Sequence, residues 1–405
     1  MSILRLYQLQ GVPFCLSLVQ DLLKKYGSPL YVYDGDRLRQ TIRQITQAIP
    51  YPNTRFHFAC VTNGNVALLK IFREEGWGLH ANTPGDVYLG LQAGFEPSQI
   101  VYSGSNLSCA DIKQVLEWGI TRLNLDSLDQ LRLCCNIFVQ SQYISSLQLG
   151  LRLNLPEITG DSRIGVHPSD FERAIALCAS VNLQISGLHF YRGTGTNATK
   201  AFTQVIDTVI ESAKQLPNWR SLDFGGGFGY PYHSDRVAFD WEEFGSRLSQ
   251  KLSFHPDVEL VIEPGRSAIA ECGTLLAQVV SVKWQQGKQI VGVDTSVANL
   301  SVLSVYGGYR EIVVWDREDG NTPLYSTDVC GNTTYSRDYL GRNCQLPALN
   351  IGDAIAILDC GAYGYAMSSH FLHRPRPAEV LVENGTIRLI RQREDYSILL
   401  NGQIF

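Results

Sequence analysis

A chain of 405 residues with 44% hydrophobic content is too long for one ordinary domain and long enough to bury two cores. Its 34 Lys and Arg against 39 Asp and Glu give a formal net charge of -5. That balance excludes a basic field able to hold nucleic acid or an anionic membrane by charge alone, so a small molecule or another protein is the expected partner.

The opening MSILRLYQLQGVPFCLSL lacks the pattern of a secretory leader, and no stretch stays apolar for the length of a membrane span. Ten cysteines are scattered without a CxxC pair, which favours reduced, buried thiols over disulfides or a metal site and makes the cytoplasm the expected location. The first two dozen residues are expected to add a strand to a later β domain. From Pro29 to about Gly265, short β-branched runs alternate with longer amphipathic stretches, the pattern of βα units around a parallel sheet. The runs are PLYVYD (29–34), RFHFACV (55–61), GLHAN (78–82), IVYSGS (100–105), RLNLDS (122–127), LGLRLN (149–154), ISGLHFY (185–191), SLDFGGG (221–227) and ELVIEPG (259–265). A closed barrel needs one fewer, so one run should lie outside as an edge or insertion. After Ala270 the runs LLAQVVSVKW, KQIVGVD, EIVVWD, DAIAILD and AEVLV, joined by Gly, Asn and Asp turns, indicate a mostly antiparallel β domain. The expected division is a barrel over 27–275 and a β domain from 1–26 and 276–405.

In such barrels the chemistry gathers where the strands' C-terminal ends open into loops. GGGFG (Gly225 to Gly229) follows one run, and bare glycines there let backbone N–H groups approach a phosphate, although a structural turn has the same composition. EPGR (Glu263 to Arg266) ends another, offering a carboxylate and a guanidinium that are costly to bury unless they bind something or each other. His57, His167, His189 and His233 have no metal-ligand spacing and are expected to be structural.

With SPLYVYD, DVCGNTTYSRD and GAYGYAMSSHFLHRPRPAEVLV, these motifs resemble, in order over nearly the whole chain, the fold-type III pyridoxal-phosphate decarboxylases, the diaminopimelate and ornithine decarboxylase family. The resemblance implies an alanine-racemase-like (β/α)8 barrel followed by a mostly antiparallel β domain, working as a homodimer with active sites at the subunit interface. It implies that Gly225, Gly226 and Gly227 form the phosphate loop, that Glu263 faces the pyridine nitrogen, and that Arg266 is a phosphate ligand. Thr194 takes the place of a serine, and Tyr363 matches a tyrosine near the cofactor phosphate.

The reacting half departs from the family pattern. FACVTNGN stands where the family has a motif like YAVKAN, so the Schiff-base lysine position is Val61; Lys70 falls on the following helical run, in VALLKIF. Tyr191 replaces the stacking histidine, His80 an aspartate, Val302 the arginine for the substrate's distal carboxylate, and Thr334 and Tyr335 the cysteine and acid lent across the dimer interface. Cys330 lies four residues before Thr334. The expectation is a protein that binds pyridoxal phosphate, or a related phosphorylated ligand, without a covalent bond and lacks ordinary diamino-acid decarboxylation. Altered chemistry would draw on His80, Tyr191, Arg192 or Tyr335. The alternatives are a non-catalytic homologue regulating an active paralogue through the dimer interface, and a carrier or sensor of a phosphorylated small molecule.

Overall fold

The computed structural model describes residues 14–141, 147–193, 195–233, 235–315 and 322–404. These form two compact units. The first spans residues 39–231 and 237–268; the second takes the described residues before Arg39 and from Ile269 onward, with a short segment around His233.

The first unit is a closed, all-parallel barrel of eight strands: β2 (Thr54–Ala59), β3 (Gly78–Ala81), β4 (Ile100–Tyr102), β5 (Arg122–Leu125), β6 (Gln148–Arg152), β7 (Ile185–His189), β8 (Ser221–Asp223) and β9 (Glu259–Ile262). Each strand pairs in parallel with its sequence neighbours, and β9 closes on β2 through Thr54 opposite Leu260. Intervening helices bury one apolar stripe. The helix Val66–Glu74 begins at Asn65, whose side chain accepts from the Ala67 N–H, and it buries Leu68, Leu69, Ile71 and Phe72 while Lys70 stays exposed. The strands are shorter than the sequence runs because their polar C-terminal residues peel away into the rim loops, the part of the barrel that carries the site.

The second unit contains a sheet ordered β14 (Tyr339–Pro347), β13 (Leu324–Cys330), β11 (Lys288–Val293), β10 (Gly273–Gln285), β1 (Leu30–Asp34), β16 (Ala378–Glu383) and β17 (Thr386–Arg391). Strand β15 (Ala354–Ile357) pairs with β10 and with β12 (Ile312–Val314). The pairs β1–β16 and β11–β13 are parallel and the others antiparallel, so the unit is the mostly antiparallel domain expected.

The surplus run is β1. It pairs with β10 and β16 in the second unit, and Leu30 to Tyr33 are buried on both faces. A central strand of this kind reads as a continuous apolar run, the same signature as a barrel strand. Of the first two dozen residues, expected to add a strand, residues 1–13 lie outside the described residues, and from Leu16 the chain forms a helix, Leu16–Tyr26, whose buried Val19, Leu22 and Leu23 recur at helical spacing. Strands β13, β14 and β17 had no counterpart among the sequence runs, because polar residues interrupt each of them.

Candidate active site

Because all eight barrel strands run the same way, their ends share one rim, and side chains near those ends meet inside it. His80 (β3), Asn124 (β5), His189 (β7), Asp223 (β8) and Glu263, directly after β9, are all buried, which makes a polar layer in the barrel, while the buried His57 ring of β2 lies against Gly78 at the start of β3. Five buried polar side chains in one layer are costly without partners, so the layer requires either an internal network or a ligand.

Part of that requirement is met internally. Asn124 Nδ2 donates to Asp223 Oδ2 at 3.0 Å and to Ser103 Oγ at 3.2 Å, and the Gly225 N–H donates to Asp223 Oδ1 at 3.0 Å. The Asp223 and Glu263 carboxyls are hydrogen-bonded to each other. Burial pushes Glu263 up to about 7, opposed by Asp223's hydrogen bond and by the charges of Arg152 and Arg122. Burial, reinforced by the Glu263 charge, pushes Asp223 up to about 8. The pair therefore holds a proton at neutral pH.

The histidines are neutral. Burial drives His80 well below its ordinary range, helped by His189, His57 and Arg152, and takes His189 down to about 4. His80 Nε2 stands 3.5 Å from Glu263 Oε1, and His189 Nε2 stands 3.5 Å from Glu263 Oε2. Neither contact is a hydrogen bond: Glu263 Oε1 and all four ring nitrogens are buried without a hydrogen-bond partner. His189, Asp223 and Glu263 bring ligand atoms within 4.8 Å of one another, the spacing of a metal site. With one proton on the carboxyl pair and neutral imidazoles around it, the cluster carries a single negative charge, which suits a nitrogen heterocycle placed against Glu263.

The phosphate cradle lies beside this cluster. Gly225 and Gly227 adopt φ values of +66° and +94°. A Cβ on Gly225 would lie 2.1 Å from the Phe190 carbonyl oxygen, and one on Gly227 would lie 2.4 Å from that of Gly193, so this turn admits only glycine. Arg266 opens the short helix Arg266–Ile269, and its Nε would be 3.1 Å from a Cβ on Gly195. The turn after β8 thus borders Gly193 and Arg266 borders Gly195, within reach of an anion held by backbone N–H groups and a guanidinium.

Other residues singled out in the sequence fall in varied places. Val61 lies in a single 3-10 turn after β2, at the rim and 46% exposed, where a side chain can meet a ligand. Tyr191 follows β7, with the Arg152 guanidinium 5.0 Å from its ring centroid. Arg192 is not a free polar group of the rim: its Nε donates to the Ala201 carbonyl at 3.1 Å. His80 points into the polar layer. Thr194 lies outside the described residues. Val302, Cys330, Thr334, Tyr335 and Tyr363 belong to the second unit. There Val302 is buried in the helix Val302–Tyr306, Tyr335 packs edge-on against Phe371, and burial raises the Cys330 thiol, which keeps it protonated. Tyr363 has a φ of +58° in the turn after β15.

Sequence reasoning missed Asn124, Arg152, His189 and Asp223. Their signal was position: each lies near the C-terminal end of a barrel strand, where a polar side chain faces inward. His189 was set aside as structural because only metal-ligand spacing was tested.

Comparison with known proteins agrees with this geometry. The family described as pyridoxal-dependent decarboxylase, pyridoxal binding domain, matches residues 36–270. The chain is 34% identical over 401 residues to diaminopimelate decarboxylase of Methanothermobacter thermautotrophicus, covering 95% of this chain and 93% of that protein. It is 30% identical to the enzyme of that name from Haemophilus influenzae, covering 93% of each. Among solved structures it resembles diaminopimelate decarboxylase from Helicobacter pylori complexed with L-lysine, at 27% identity and a TM-score of 0.87, covering 95% of this chain and 98% of that one.

These likenesses correct the reading drawn from Val61. A divergent protein without ordinary decarboxylation, a regulator and a carrier were all expected on the strength of a few altered positions, whereas the relatives matching nearly the full length are diaminopimelate decarboxylases. The physical reason is that a tethering lysine governs how the cofactor is attached and exchanged; the ring and its binding groups carry the electronic work.

Proposed function

The chain belongs to the pyridoxal-dependent decarboxylases, and on that premise we propose that it is an active decarboxylase that removes carbon dioxide from a diaminopimelate-like diamino acid. The observation that carries this reading is 34% identity with a diaminopimelate decarboxylase across 95% of the chain, together with the acid cluster and glycine turn.

Pyridoxal phosphate is the cofactor of this family, and the residues present fit it. The orphaned Glu263 Oε1 is a buried partner for the ring nitrogen, and the turn at Gly225 to Gly227 with Arg266 is a cradle for the phosphate. When bound, the cofactor supplies an electron-withdrawing ring that accepts the electron pair left as carbon dioxide departs. Glu263 holds a proton at the carboxyl facing that nitrogen, where burial, working against the Asp223 hydrogen bond, keeps it available near neutral pH. Asn124 and the Gly225 N–H orient Asp223, and Asp223 orients Glu263. Tyr191, held near the Arg152 guanidinium, offers an aromatic face at the rim.

The finer parts of the reading follow from Val61. Valine forms no covalent bond to the cofactor, so phosphate, ring nitrogen and ring-face contacts hold it non-covalently. The protein works as a homodimer in the cytoplasm, a setting that suits its unpaired cysteines. The test is to supply purified protein with pyridoxal phosphate and carboxyl-labelled diaminopimelate and to collect labelled carbon dioxide. Sustained release supports the reading, and release no faster than with the cofactor alone refutes it.

A further inference from the structure

Arg310, in the second unit, is 2% exposed. Its guanidinium carbon lies 3.6 Å from the Tyr232 ring centroid, and Nη1 donates to the Tyr309 carbonyl at 2.7 Å. Nε and Nη2 are buried with no hydrogen-bond partner. These two nitrogens share one edge of the guanidinium, the edge that presents parallel N–H donors to a carboxylate or phosphate. A buried cation that leaves such an edge unused is destabilising unless a ligand fills it.

The same arginine lines a cavity of about 450 Å³ that also has Arg337 and Arg342 in its wall. Both are exposed, and the Arg342 guanidinium lies 3.7 Å from the Tyr339 ring centroid. Among the described residues no carboxylate lines the cavity, whose wall carries three arginines. Its volume is within the range of small-molecule sites.

We propose that this cavity, lined by residues of the second unit, is an oxyanion site in which the Nε and Nη2 edge of Arg310 grips one carboxylate or phosphate group of a small dianion while Arg337 and Arg342 neutralise its second charge. The tyrosine faces hold the guanidinium planes, which fixes the donor edge before a ligand arrives. A monoanion would leave two arginines uncompensated, so a dicarboxylate or a phosphomonoester fits best.

Calorimetry of the cofactor-loaded protein tests this, with glutarate and inorganic phosphate as separate probes. The expected result is saturable binding of at least one probe, weakened at least about tenfold by Arg310→Met and several-fold by Arg337→Ser combined with Arg342→Ser. Arg388→Ser, an exposed change on β17 outside the cavity, should leave binding unchanged. Binding of glutarate alone identifies a carboxylate ligand, and binding of phosphate alone identifies a phosphorylated one. If Arg310→Met does not fold, Arg310→Lys keeps the charge, removes the paired donor edge, and should still bind several-fold more weakly. Equal binding by the folded Arg310 variant and the parent, or no binding of either probe, overturns the proposal. So does a probe bound only by cofactor-free protein, which would place it in the barrel.

Discussion

Replacing Glu263 with glutamine removes a titrating group while keeping its shape. In the native barrel, burial moves this carboxyl from an ordinary 4.5 to about 7. The unfolded chain releases the proton near 4.5, so from there to about 7 the native state binds more protons, and stability falls as pH rises through that window. At roughly 1.4 kcal/mol per pH unit, the loss amounts to about 3 kcal/mol by pH 8. Asp223, raised to about 8, shifts stability in the same direction. His189 and His57, lowered from 6.5 to about 4 and about 3, act oppositely: their contribution is present above 6.5 and is lost as pH falls through those values. The histidines are common to both proteins, so the difference between wild type and Glu263→Gln isolates the acid cluster. Because the Glu263 charge is one cause of Asp223's rise, its removal relieves Asp223 too and adds to the effect. Urea unfolding of cofactor-free protein, followed by tryptophan fluorescence from about pH 5 to 9, should show the two proteins close at the acid end and the variant ahead by about 3 kcal/mol at the alkaline end. A difference that stays constant with pH would refute the assignment of a buried, proton-holding Glu263.

Two further substitutions probe the site. Gly225→Ala forces a side chain into left-handed backbone and within 2.1 Å of the Phe190 carbonyl; it should cost several kcal/mol in thermal unfolding and weaken cofactor binding at least about tenfold, measured by fluorescence titration. Val61→Lys, at an exposed rim position, should change stability by less than about 0.5 kcal/mol, and borohydride treatment followed by mass spectrometry should then find cofactor fixed to the chain. Wild-type protein should show none fixed and should lose its cofactor on dialysis.

Much of this was legible in the sequence, because the phosphate turn and its neighbouring acid are dense local signals. GGGFG and EPGR each sit at a strand end, and the structure places both at one rim. The surplus strand β1 was not distinguishable from a barrel strand: Leu30 to Tyr33 are buried on both faces in either setting. The helix Leu16–Tyr26 was readable from Val19, Leu22 and Leu23 but was passed over. The acid cluster was hidden for another reason. Asn124, His189 and Asp223 lie far apart in the chain, and only closure of the barrel brings them to Glu263. The altered positions were over-read: Val61, set beside Val302, Thr334 and Tyr335, was allowed to outweigh agreement along the rest of the chain.

The central claim is that a chain with valine at position 61 decarboxylates a diamino acid using a cofactor it does not tether. The most direct measurement is the yield of lysine and carbon dioxide from diaminopimelate by purified protein with added pyridoxal phosphate, followed over many turnovers. Equal amounts of both products, accumulating well beyond one per chain and abolished by Gly225→Ala, are the predicted result. No lysine above the rate with free cofactor would contradict the account.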